Sequence, residues 1–105
     1  SNAQNDELTL KTGRRTDIWL HVQKVHGSHV IIRAEDTRPD DRTIEEAASL
    51  AAYFSQARES GKVPVDYTMV RNVKKPSGAL PGKVIYTNYE TIMAAPDKAL
   101  AEKVK

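Results

Sequence analysis

The chain has 105 residues and a formal net charge of +2, with 39% hydrophobic and 29% charged residues. This length predicts one domain, and the absence of cysteine excludes disulfides and thiolate chemistry. No apolar run approaches the roughly 20 residues that cross a bilayer, and no secretory signal is visible, so we expect a cytoplasmic protein without a membrane partner.

The first sixteen residues predict a short strand and a basic turn. Residues 1–3, Ser-Asn-Ala, are typical of an expression-tag remnant, so the native start is expected upstream. Residues 7–11 alternate polar and apolar side chains, which predicts a strand. The following segment, Thr-Gly-Arg-Arg-Thr, predicts a turn that carries two cations.

The only tryptophan and all three histidines lie in a predicted hairpin. Its strands are residues 17–25 and 29–35, and a three-residue loop of His26, Gly27 and Ser28 separates the side chains by polarity. One face then carries the apolar residues Ile18, Leu20, Val22, Val30, Ile32 and Ala34. The other face carries Asp17, Trp19, His21, Gln23, His29, Ile31, Arg33 and Glu35.

This register argues against a metal site in the hairpin. It pairs His21 with Arg33 and His29 with Val25, which separates the two histidines by roughly 13 Å. Two ligands of one zinc ion must each lie about 2 Å from it, so we predict no metal and no other cofactor. Ser28 lies near histidines in sequence, but no Ser–His–Asp order is evident, and we predict no enzyme.

The polar face of the hairpin has two interpretations. Large aromatic side chains are mostly buried, so Trp19 could pack beneath a loop while His21 bonds to the backbone. Alternatively, the face binds nucleic acid. Trp19, His21 and His29 would then stack on bases or donate hydrogen bonds, and Arg33 would hold a phosphate.

One long helix is predicted over residues 44–60. Thr43 and Glu46 fit a capping box at its start, and Gly61 suits a left-handed stop after its end. Apolar side chains recur at helical spacing and predict a face packed on a sheet: Ile44, Ala47, Leu50, Ala51, Phe54 and Ala57.

The second half of the chain completes an α+β fold. Residues 66–73, 83–88 and 90–94 predict further strands, and residues 97–105 form a tail that is either helical or disordered. The predicted architecture is a mostly antiparallel sheet of four to five strands with one main helix packed on one face.

A basic loop joins two of these strands over residues 74–82. Gly78 and Gly82 can adopt positive φ and turn backbone amides toward an anion. The spacing of the glycines, and Val84 after Lys83, exclude a Walker loop. The loop is therefore either a solvated connection or a site for an anionic partner, with Arg71, Lys74, Lys75 and Lys83 as its cations.

Five motifs along residues 4–96 carry a family resemblance. They are D-x-W-L-H, G-S-H-V-I-I, A-A-x-x-S-x-A-R, V-D-Y-T and K-K-P-x-G-A-x-P-G, in this order. Together they resemble the NFACT-R domain, the C-terminal part of bacterial RqcH proteins, which are also called fibronectin-binding protein A homologues. The matching positions include Asp17, Trp19, His21, Gly27, Ser28, His29, Arg71, Lys74, Lys75, Gly78 and Gly82, whereas His26 replaces a proline often found in the family.

The resemblance implies an RNA-binding module of a ribosome-associated quality control protein. Full-length relatives bind obstructed large ribosomal subunits and support alanine tailing of stalled chains, which this domain alone should not do. The expected partners are ribosomal RNA of the large subunit and tRNA, and the isolated domain is expected to be a monomer. The predicted nucleic-acid site comprises Trp19, His21, His29, Arg33, Arg71, Lys74, Lys75, Gly78 and Lys83.

Two other functions stay open. The fibronectin-binding name suggests a protein-binding module in which a sheet edge accepts an extended peptide, with the parent protein also at the cell surface. A metal-dependent hydrolase using His21 and Asp17, in the form of a nuclease, is the remaining alternative.

Overall fold

The computed structural model of the chain describes residues 14–24, 29–34, 38–78 and 84–103. The elements in chain order are β1 (Ile18–Val22), β2 (Val30–Ile32), α1 (Asp41–Tyr53), β3 (Val63–Met69), a short 3-10 helix (Val70–Asn72), β4 (Val73–Lys74), β5 (Ile85–Tyr86), β6 (Glu90–Ala94) and α2 (Lys98–Lys103). The strand predicted at residues 7–11 lies outside the described residues.

Of the described strands, four form an antiparallel sheet in the order β2-β1-β3-β6, and β4 and β5 form a separate antiparallel ribbon. Helix α1 packs on one face of the sheet, and the ribbon packs on the opposite face over Trp19. The predicted α+β fold is therefore confirmed. The ribbon is a second, smaller sheet, whereas the sequence predicted a single sheet of four to five strands.

Alternating side chains of β1 supply both apolar layers. Ile18, Leu20 and Val22 pack into the main core with α1, whereas Trp19 packs with the ribbon. Because neighbouring side chains on a strand point to opposite faces, one strand can serve two cores. The predicted division of β1 and β2 into two faces is confirmed.

Helix α1 begins earlier than predicted. Its N-cap is Asp40, whose Oδ1 accepts the backbone N–H of Thr43 at 2.8 Å. This hydrogen bond lowers the pKa of the Asp40 carboxyl. The prediction of Thr43 as the cap was wrong, because Asp40, three residues upstream, caps the helix and the amide of Thr43 is itself the one that is satisfied.

Helix α1 also ends earlier, at Tyr53 instead of residue 60. The hydroxyl of Ser55 donates to the carbonyl of Ala52 at 2.8 Å and accepts the N–H of Ala57 at 3.1 Å. These local bonds replace the helical pattern and turn the chain. Gly61 does take a positive φ of 78°, but it follows turns and not the helix.

The remaining boundaries differ by a few residues. β3 begins three residues before the predicted start, and residues 70–72 form the 3-10 helix where continuous strand was predicted. β6 matches its prediction at 90–94, and residues 98–103 of the tail are helical. No helix within the described ranges is long and apolar enough to span a bilayer.

Small residues let α1 lie close to the sheet, which predicts sensitivity to added volume. Ala51 is fully buried in the main core. Ala51→Leu should lower the free energy of unfolding by about 1–3 kcal/mol, because a packed core has no space for the added atoms. Urea denaturation measures this. Glu45→Leu, at an exposed position of the same helix, should change stability by no more than about 0.5 kcal/mol; equal effects of the two substitutions would contradict the close packing.

Candidate nucleic-acid interface

The hairpin register brings His21 and His29 together. Ile18 pairs with Ile32 and Leu20 with Val30, so the same register sets His21 opposite His29. Their ring centroids are 5.0 Å apart. The predicted pairing of His21 with Arg33 and the 13 Å separation were therefore wrong by a shift of four residues, which leaves every side chain on its predicted face.

Because the predicted register was wrong, the predicted distance between His21 and His29 no longer argues against a metal ion bound by both. Within the described ranges, however, no group of three or more His, Asp or Glu side chains is arranged to hold a metal ion. Asp17, the partner suggested for His21 in a hydrolase, instead accepts backbone N–H groups with both carboxylate oxygens.

Trp19 is the centre of an aromatic cluster that the ribbon covers. His21 stacks parallel to its ring at 5.9 Å, and His29 and Tyr86 contact it at centroid distances of 5.3 and 4.7 Å. Trp19 is 0% exposed and His29 is 5% exposed, while His21 is half-buried. The indole of Trp19 cannot stack on a base in this conformation. The interior-packing interpretation holds for Trp19, and its Nε1 lacks a hydrogen-bond partner among the described residues.

Asp66 fastens the ribbon to the sheet beside this cluster. It lies opposite His21 on β3 and is 1% exposed. Its Oδ1 accepts Gln23 Nε2–H at 2.9 Å and Thr91 Oγ1–H at 2.7 Å, and its Oδ2 accepts the hydroxyl of Tyr86. Three donors satisfy the buried carboxylate, and sequence reasoning did not single it out.

The phenol of Tyr86 is perturbed by this environment. Burial, followed by the hydrogen bond and the charge of Asp66, raises the pKa of Tyr86 above its ordinary value. The folded protein therefore holds this proton more tightly than the unfolded chain, where a phenol titrates near pH 10. The stabilisation is complete below that pH and is lost as pH rises toward the higher folded-state pKa.

This shift predicts an alkaline loss of stability. The free energy of unfolding should decrease between about pH 10 and 11. Tyr86→Phe should reduce that decrease, because the proton-linked stabilisation is removed. Urea denaturation across this pH range measures it. An unchanged pH slope in Tyr86→Phe would contradict the assignment to Tyr86; Tyr67 contributes in the same direction, since burial and its bond to Glu90 raise its pKa as well.

Asp17 organises the opposite end of β1. Its carboxylate oxygens accept the N–H groups of Arg14 at 2.8 Å and Ala34 at 3.1 Å. Its backbone carbonyl accepts the N–H of Val70 at 2.8 Å. Asp17 thus joins three segments: its carboxylate holds the turn before β1 and the chain after β2, and its backbone carbonyl holds the 3-10 helix after β3.

Four arginines surround this junction, and we call them the arginine edge: Arg14, Arg15, Arg33 and Arg71. The N–H of Arg71 donates to the carbonyl of Arg15 at 3.1 Å. The carboxylate of Asp17 accepts the N–H of Arg14 and the N–H of Ala34, the residue that follows Arg33. All four are exposed. In the described part of the chain, arginine ion pairs involve only Arg38 and Arg42, so no arginine of the arginine edge is held in a salt bridge there.

The other predicted site residues extend from this edge. Lys74 is exposed on β4, next to buried Val73, and Lys75 is half-buried. Gly78 takes the predicted positive φ, at 76°, with open space around it. Lys83 lies outside the described residues, as do His26, Gly27, Ser28 and Gly82.

Sequence reasoning missed Arg14 and Arg15 as site residues. The available signal was the Arg-Arg pair in the turn before β1. Their proximity to Arg71 depends on backbone bonds between segments more than fifty residues apart in sequence.

Comparisons with known proteins identify close relatives. The family model of the NFACT protein RNA binding domain matches residues 1–88. The chain is 50% identical over its full length to the Rqc2 homolog RqcH of Bacillus subtilis (strain 168), of which it spans 18%. It is 32% identical over 90 residues, or 81% of its length, to the coiled-coil domain-containing protein 25 homolog of Dictyostelium discoideum, covering 43% of that protein.

A solved structure shows the same fold. The C-terminal part of the fibronectin/fibrinogen-binding protein from Streptococcus suis superposes with a TM-score of 0.91 and 39% sequence identity. The match covers 98% of this chain and 41% of that one. The chain thus spans under a fifth of the length of its RqcH relative from Bacillus subtilis and under half of the solved chain.

Proposed function

Because the chain belongs to the family of the NFACT protein RNA binding domain, we propose that it is the RNA-binding module of a bacterial ribosome-associated quality control protein. The module comprises residues 4–96 and acts in the cytoplasm. Its partners are ribosomal RNA of the large subunit or tRNA, and it has no catalytic role of its own.

The arginine edge is the observation that supports RNA binding. Four exposed arginines, which form no salt bridge with described residues, have their backbones at one junction. Arginine presents a planar fork of donors that matches phosphate oxygens. The bonds of Asp17 and Arg15 fix the backbone that carries these side chains. Less conformational entropy is therefore lost when RNA binds.

The contacts are proposed to lie at the end of the sheet, and not on its covered face. Arg33 and Arg71 would hold phosphates together with Arg14 and Arg15, and Lys74 would extend the contact onto the ribbon. Lys75, Lys83 and the amides near Gly78 are proposed to contribute from the basic loop. In the parent protein, this surface would help hold an obstructed large subunit during alanine tailing.

Salt dependence tests this function. Binding of labelled tRNA and of a ribosomal RNA hairpin, measured by fluorescence anisotropy, should weaken linearly in a plot of log affinity against log salt. The slope of about −0.9 per neutralised phosphate in duplexes gives the number of contacts. Affinity that does not change between low and high salt, or no binding at low salt, would refute an electrostatic RNA interface.

A protein-binding role is a second candidate, because the Streptococcus suis relative is a fibronectin/fibrinogen-binding protein. Among the described strands, β6 lies at an edge of the sheet, and most of its residues are exposed. An extended peptide could add to such an edge. Capture of fibronectin that resists RNase treatment and high salt would support this role over RNA binding.

A further inference from the structure

A cleft of about 590 Å³ opens beside Arg71, between the end of β3 and the turn that joins β5 to β6. Its volume falls in the range of about 300–1,000 Å³ that small-molecule sites occupy. The principal lining residues are polar: Arg38, Tyr67, Arg71, Asn72, Asn88 and Glu90.

One hydroxyl fixes the two asparagines of the cleft. The single O–H of Thr68 points between the carbonyls of Thr87 at 2.9 Å and Asn88 at 3.2 Å, which share it, and Thr68 Oγ1 accepts Asn72 Nδ2–H at 2.9 Å. The N–H of Thr87 also bonds to the carbonyl of Asn72 at 3.1 Å. The cleft walls are therefore tied together in the free protein.

Several side chains that line the cleft have donors or acceptors that are not used in hydrogen bonds with other described residues. Asn72 uses one donor of its amide, and the Asn88 amide bonds to no other described residue. Arg71 forms no ion pair in the described ranges, and its only side-chain bond is a weak one to the sulfur of Met69 at 3.2 Å. Arg38 pairs with Glu90 at 3.8 Å and Asp41 at 3.9 Å, both exposed and readily exchanged.

We propose that this cleft accepts one unpaired nucleotide of the bound RNA, with its phosphate at Arg71 and its base between Asn72 and Asn88. The proposal rests on the RNA-binding function proposed above. Side-chain amides both donate and accept, which suits base edges, whereas phosphates accept only. Glu90 disfavours a second phosphate in the cleft. A base in a duplex keeps its pairing edge hidden, so only an unpaired nucleotide offers it.

Asn88 provides a sharp test because its φ is 52°. Glycine adopts this conformation without strain, so Asn88→Gly removes the amide and keeps the turn. Two RNA hairpins would be compared that differ by a single bulged adenosine. The wild-type domain should bind the bulged hairpin about five to ten times more tightly, in line with the discrimination that paired side-chain contacts to a base provide.

In Asn88→Gly, this preference should disappear while affinity for the perfect hairpin stays unchanged. A bulge carrying 2-aminopurine should change its fluorescence with the wild-type domain and not with the variant. Lys62→Gln, at the far end of β3, should keep the full preference.

The possible outcomes distinguish a failure of the cleft proposal from a failure of the proposed RNA-binding function. Tight binding of both hairpins without a preference in the wild-type domain overturns the cleft alone, as does a preference that survives in folded Asn88→Gly. Failure of the wild-type domain to bind either hairpin overturns RNA binding itself, and the cleft proposal with it.

Discussion

Asp66→Ala is expected to lower the free energy of unfolding by about 3–4 kcal/mol, because three donors, two of them on half-buried side chains, lose one buried charged acceptor. Of the three donors, Tyr86 belongs to the ribbon, so its bond to Asp66 joins the ribbon to the sheet. The loss therefore has two parts: the hydrogen bonds themselves and the docking of the ribbon over Trp19. Urea denaturation followed by the emission of Trp19, the only tryptophan, measures both.

Two matched substitutions isolate the role of the carboxylate. Thr91→Val removes one donor and should lower the free energy of unfolding by about 1–2 kcal/mol, while Glu59→Ala, at an exposed carboxylate, should change it by less than about 0.5 kcal/mol. In native buffer, Asp66→Ala should also shift the emission of Trp19 to longer wavelength as the ribbon loosens. A loss for Asp66→Ala no larger than that for Thr91→Val would show that the other two bonds contribute nothing.

The polarity pattern predicted which face each hairpin residue occupies, but not which residue lies opposite. Alternation has a period of two, so registers that differ by an even number of residues produce identical faces. A shift of four therefore kept Trp19 and His21 on the predicted face, yet it moved His29 next to both of them. Faces follow from sequence pattern, whereas distances need the pairing.

The burial of Trp19 illustrates a second limit. Its strand neighbours predicted a side chain on the polar face, where either a ligand or a covering element was possible. The cover is a ribbon whose strands lie more than fifty residues away, and Val73 and Tyr86 pair across it. Strands of two residues are too short to show a polarity pattern, so the sequence did not predict that β4 and β5 pack over Trp19.

The proposed RNA site depends on a third kind of information. The sequence marked Arg71 and Lys74 by their local charge, but Arg14 and Arg15 acquire their relevance through the bond from Arg71 to Arg15 and through Asp17. The family motif contains this aspartate, and its role here is to assemble three chain segments. A buried carboxylate that accepts backbone amides is thus a positioning residue for the arginine edge.

Reversing charge at the arginine edge and at the adjoining Lys74 should have the largest effect on binding; we call this double variant the edge variant. The double variant Arg71→Glu with Lys74→Glu is expected to weaken RNA affinity about 100-fold at low salt, since each phosphate contact to a charged donor contributes about tenfold. The slope of log affinity against log salt should fall by about two, one for each lost contact. Both quantities come from anisotropy titrations with several RNA sequences, which should all be affected alike.

Net charge must be separated from position in this test. Lys62 and Lys98 are exposed lysines away from the edge, and Lys62 lies roughly 20 Å from Arg71, at the other end of β3. The variant Lys62→Glu with Lys98→Glu changes the net charge by the same amount as the edge variant. If RNA is held by the arginine edge, this control should retain most of the affinity when both variants are compared at about 0.15 M salt, because screening there limits charge effects to about 8 Å. Equal losses in the two variants would mean that RNA responds to the total charge of the domain and that no phosphate is bound at this edge.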